Sequence, residues 1–224
     1  MRLVVPRAVM LGAAVLGLWL ATTPAARAAS PLASIPIGAS AAYNVATQSN
    51  SPDSGPHSSS HNVRFIRASA TTIHVHLDGA PAGDITVTDG GSVYIPPNLQ
   101  TVLKPFGEVA LYMRGAPGSL SPNSSWAANL PVPISGTTDN VAVVLSVTTI
   151  NYNGATVVGN GGNTTEVQPG LRAFPTSVSV KTTMQFTPAH TLGSATRGIN
   201  IVIHTGRFGV REKNASDSWT ITRI

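Results

Sequence analysis

Alternation of apolar and polar residues dominates the chain from Val63 onward. VRFIR (63–67) and TIHVHLD (72–78) alternate, and in the second run Ile73, Val75 and Leu77 fall on one face, as a half-buried strand requires. DITVT (84–88) and SVYI (92–95) flank Asp89-Gly90-Gly91, a tight-turn signal between two β-rich runs. GEVALYMR (107–114), TSVSVKTTMQF (176–186), GINIVIHTGRFGVR (198–211) and DSWTITRI (217–224) read as further strands. NVAVVLSVTTINYN (140–153) is long and Val-rich, which predicts a central strand buried on both faces. Helical spacing is confined to NLQTVLKPF (98–106), behind Pro96-Pro97. Intervals 115–139 and 154–175, full of Gly, Pro, Asn and Ser, read as long loops. Many short strands and little helix predict an all-β fold, an antiparallel β-sandwich of immunoglobulin-like or jelly-roll-like type.

The region before Val63 follows a different pattern. Arg2 and Arg7 precede an apolar run at 8–21, and Ala26-Arg27-Ala28 supplies a small-x-small cleavage pattern, so residues 1–28 read as a secretory signal too short to span a membrane comfortably. Residues 29–62 pass from small apolar residues into YNVATQSNSPDSGPHSSSHN (43–62), whose composition predicts a linker or exposed loop. The globular β-domain is expected over 63–224, and the expected location is extracellular or the cell envelope.

Charge changes the picture once the signal is set aside. Lys+Arg number 14 against 9 acids; without Arg2, Arg7 and Arg27 the balance is 11 to 9, or +2. No broad basic field then argues for nucleic acid. Cysteine is absent, which excludes disulfides, thiolate metal sites and Cys nucleophiles.

Candidate chemistry is sparse. His74 and His76 project from one face of their strand, a geometry that suits two imidazole ligands on one Zn or Cu ion. Asp78 or Asp84 would be the nearest third ligand, with His190 or His204 brought in by the fold. The HVH run resembles that of copper/zinc superoxide dismutases and the HxH of cupins. The likeness stops there, since no bridging His follows closely and LDGAPAG (77–83) lacks the cupin Glu. A metal-dependent secreted oxidoreductase is therefore the alternative function. Opposite-face filling by Ile73, Val75 and Leu77 explains the same pair as the polar side of a strand. His57 and His61 stand four apart, but PHSSSHN is too rich in Pro and Ser to place them on a helix.

No nucleophile elbow, S-x-x-K set or H-E-x-x-H occurs, and GNGGN (159–163) precedes no helix that would bind phosphate. Glu108 and Glu166 are the acids least accounted for by turns or charged neighbours, and strand ends are their expected place. Trp126 and Tyr152 are candidate ligand-binding rings, since an aromatic face stacks on the apolar face of a sugar, whereas alternation places Trp219 in the core. The leading expectation is a non-catalytic binding, adhesion or structural module directed at polysaccharide or another envelope component. SATTIHVHLDGA (69–80) also echoes SVTTINYNGA (146–155), as a repeated strand–turn solution would.

Overall fold

The computed structural model describes residues 32–51, 55–88, 93–134, 137–167, 174–205 and 211–224. The signal-like segment 1–28 and the Asp89-Gly90-Gly91 turn lie outside them. Eleven strands form one antiparallel sheet: β1 (Ser40–Ser51), β2 (Gly55–Arg67), β3 (Thr72–Leu77), β4 (Ala80–Val87), β5 (Val93–Tyr94), β6 (Ser125–Ile134), β7 (Thr137–Asn151), β8 (Gly154–Val167), β9 (Phe174–Phe186), β10 (Leu192–Thr205) and β11 (Arg211–Arg223). The helix α1 (Pro97–Met113) lies between β5 and β6 in the chain. The order across the sheet is β5-β4-β3-β2-β1-β11-β10-β9-β8-β7-β6, two meanders joined by the β1–β11 pair.

The mostly-β expectation holds, but hydrogen bonding runs unbroken from β5 to β6, so one sheet stands where a two-sheet sandwich was expected. The second layer is α1. Along its length Asn98 donates from Nδ2 to the Ala82 carbonyl of β4 (3.2 Å), and Phe106 packs edge-to-face on Tyr43 of β1 and Phe65 of β2, at centroid distances of 5.3 and 5.0 Å. Glu108 meets β10 and β11, and Trp126 of β6 donates from Nε1 to the Tyr112 carbonyl (2.7 Å). A helix reaching strands at both ends of an eleven-strand order requires the sheet to curl around it. Gly159 and Gly161 of β8 permit the close packing of that curl: a Cβ on Gly159 would stand 2.6 Å from Thr182 Cγ2, and one on Gly161 2.5 Å from the Ala142 carbonyl oxygen.

Several expectations fail for stated reasons. Residues 40–51 and 55–62, expected as linker, are β1 and most of β2; their Ser, Asn and Gln side chains bury little, and a twelve-pair register with each other plus eight with β11 holds them instead. GEVALYMR is the second half of α1, where Leu99, Leu103, Phe106, Val109 and Met113 repeat at helical spacing and are buried. Pro105 and Gly107, both poor in helix interiors, hide that periodicity in the sequence. The supposed loops contain β6 and β8. In β7, Val141, Val143, Leu145 and Val147 are buried while Val144 is 59% exposed, so the strand is covered on one face only. Trp219 is buried, as alternation predicted. The echoed segments both sit at two-residue hairpin turns, the first with Asp78 and Gly79 at φ +49° and +89° as a primed turn needs.

The sheet leaves two edges. β5 is only two residues long, and β6 carries Pro131 and Pro133, which remove two donors from the exposed edge. Arg67, at the end of β2, ties the segment before β1 to the β2–β3 connection, donating to the carbonyl of Ala33 (2.9 Å) in the first and of Ser69 (2.7 Å) and Ala70 (2.6 Å) in the second.

Candidate functional site

The two faces of the sheet carry different side-chain chemistry. On the concave face, inward alternation aims Arg197 of β10 and Trp219 of β11 at α1, which presents Glu108 one turn after Lys104. Arg197 is 2% exposed. It donates to both Glu108 oxygens, from Nε at 2.9 Å and from its second amino group at 3.0 Å, and also to the carbonyl and carboxylate of Asp217, both at 2.9 Å. Trp219 Nε1 adds a 2.8 Å bond to Glu108, and the Arg197 guanidinium lies 5.7 Å from the Trp219 ring centroid. Burial works against the Arg197 charge, but Glu108 and Asp217 outweigh it and hold the guanidinium above its ordinary pKa. The Tyr112 phenol, buried without a hydrogen-bond partner, is pushed up by burial first and by the Glu108 charge second. Five hydrogen bonds, four donated by Arg197 and one by Trp219, lock α1 to β10 and β11. In the sequence Glu108 falls in GEVALYMR, which reads as a strand, so no local pattern marks the cluster.

The convex face is built differently. Register sets Ser60, Ala46, Thr220, Thr196 and Thr183 side by side on β2, β1, β11, β10 and β9. The next row toward the β1–β2 turn is Ser58, Gln48, Ser218, Gly198 and Lys181, and the row on the other side is Asn62, Asn44, Thr222, Ser194 and Gln185. Strand geometry spaces these groups ~4.8 Å across and ~6.8 Å along the strands. Lys181 is the one charge in the three rows. Some neighbours bond each other, as Asn44 Nδ2 does to Ser60 Oγ (3.2 Å) and Ser194 Oγ to Gln185 Oε1 (2.9 Å). Near the β1–β2 turn the grid dips into a depression of about 430 Å³ lined by amides, hydroxyls and His57, including Gln48, Asn50, Ser58 and Ser218.

The residues singled out in the sequence are dispersed. Tyr152 stands 88% exposed at the β7–β8 turn. Trp126 is buried at 9%, its N–H spent on α1, so its ring face is not offered outward. His74 and His76 do share the outer face of β3, and His74 Nδ1 lies 2.7 Å from Asp84 of β4. Asp78 is instead taken by His61, at 3.0 Å, and by the backbone N–H of Asn62, at 2.8 Å. The hydrogen bond from His61 is the larger cause of a carboxyl held below its ordinary pKa. His204 pairs with Glu212 on β10 and β11, beyond the end of β1, and His190 sits in the β9–β10 turn with three strands between its strand and β3. Among the described residues no three His, Asp or Glu side chains gather in a way that would hold a metal ion.

No protein-family model matches the chain, and no curated protein is similar to it at a meaningful level.

Proposed function

We propose that the protein is a secreted or envelope-associated binding module without catalytic activity, and that its ligand is a neutral polysaccharide laid along the convex face. The carrying observation is the hydroxyl and amide grid: regularly spaced, exposed or half-exposed throughout, and with Lys181 as the one charge in its three rows. A glycan presents hydroxyls that both donate and accept, and Ser, Thr, Asn and Gln match that chemistry without the desolvation cost of ionised groups. Tyr152, at the β7–β8 turn beyond the grid, adds a ring for stacking. Retention on insoluble neutral glycans such as cellulose, chitin and glucan tests the reading. Binding to at least one is expected, with a loss of tenfold or more in Gln48→Ala/Asn50→Ala and a smaller loss in Tyr152→Ala. Passage of the intact protein through every such matrix would overturn it.

A further inference from the structure

Gly107 stands in the interior of α1 where glycine is a costly choice, yet a Cβ there would meet nothing within 4 Å. Packing therefore does not demand it. Above it opens a groove of about 410 Å³ between α1 and β6, within the ~300–1,000 Å³ range of small-molecule sites. Gln100, Lys104, Gly107, Leu111 and Arg114 follow one another at helical spacing along its wall, so the groove runs ~21 Å with the helix axis. Ile95, Leu111, Leu130 and Pro131 make it largely apolar.

Two charges, Lys104 and Glu108, line the groove part-way along, and a third, Arg114, stands at one end. Lys104 lies 3.8 Å from both Glu108 and Asp217, and those two carboxylates with Lys104 and Arg197 sum to zero. Arg114, at the helix C-cap, is exposed and has no side-chain partner among the described residues. An elongated apolar trough with one uncompensated cation at its end matches an elongated apolar molecule with one anionic head. We infer that this groove is a second site, independent of the convex face, and that it binds a long-chain fatty acid. The carboxylate pairs with the Arg114 guanidinium, which presents the planar fork that carboxylates match. The alkyl chain lies over Gly107 toward Ile95.

Calorimetric titration of the purified full-length protein with palmitate, below its micellar concentration, tests this. Saturable one-to-one binding is expected. Gly107→Leu fills the trough with a better helix former, so it should weaken palmitate at least tenfold while the melting temperature holds or rises. Arg114→Gln should weaken palmitate about tenfold and leave hexadecanol, the same chain without the charge, unchanged. No saturable binding, or wild-type affinity in a folded Gly107→Leu, overturns the inference. Should Gly107→Leu not fold, the palmitate-to-hexadecanol preference decides: a preference that persists in Arg114→Gln also overturns it. Glycan retention is read separately on the same variants and should not move.

Discussion

The Arg197–Glu108 pair between β10 and α1 and the His74–Asp84 pair between β3 and β4 have nearly the same contact distance, 2.9 against 2.7 Å. Their surroundings are opposite. The Arg197 side chain is 1% exposed, whereas those of His74 and Asp84 are 48% and 59% exposed. Water screens the second pair and competes for both partners, while in the first each charge was stripped of water on folding and depends on the other. Contact distance therefore says little about what a pair does for the fold. Burial decides.

Breaking the buried pair gives the largest effect. Arg197→Ala takes two of the three hydrogen bonds on Glu108 and its nearest countercharge, and should cost ~3–5 kcal/mol in denaturant unfolding, whereas replacing both partners, Arg197→Met/Glu108→Leu, should recover much of that loss. A single substitution no worse than the double would show that the buried charges are not interdependent. Trp126→Phe is intermediate, because it removes the donor to a helix-end carbonyl but no charge; ~1–3 kcal/mol is expected, read by the same unfolding curves. His74→Ala should change stability by less than ~1 kcal/mol, with added salt erasing the difference. The smallest signal comes from pH at Asp78. Its carboxyl is held below the ordinary value by His61 and the Asn62 N–H, so its contribution is full above about pH 4 and disappears as pH falls through the lowered value. Asp78→Asn should flatten that acid limb, and carbon-detected NMR titration of the carboxyl should place its midpoint below that of a free Asp.

The same contrast explains what could be read in the sequence. Strands with one apolar face, such as TIHVHLD and DSWTITRI, announce themselves by alternation because burial of one face is what stabilises them. β1 beyond Val45 and β2 before Val63 have no such face. Their order comes from ladders to neighbours far along the chain, which no local pattern encodes. Helix α1 was legible to Phe106 and lost at Gly107, the residue that opens its groove. Glu108 looked like a strand-end acid because its partners, Arg197 and Trp219, lie on strands whose approach to the helix depends on the curl of the whole sheet. The outer grid was hidden for a different reason: Ser- and Asn-rich segments resemble loops until register aligns them.

The β1–β11 pair, described above as the join between two meanders, has a kinetic consequence. It sets Ser49 beside Asp217 in the middle of the sheet, so the interior of the fold is closed by segments from opposite ends of the described chain. Each meander can zip through neighbouring turns, but this seam requires closing a very long loop, the kind of contact that slows β-rich proteins. Folding should therefore proceed as two rapid half-sheets followed by one slow docking. During that interval the seam edges of β1 and β11, rather than the outer edges guarded by prolines and shortness, are where the chain is exposed to wrong partners.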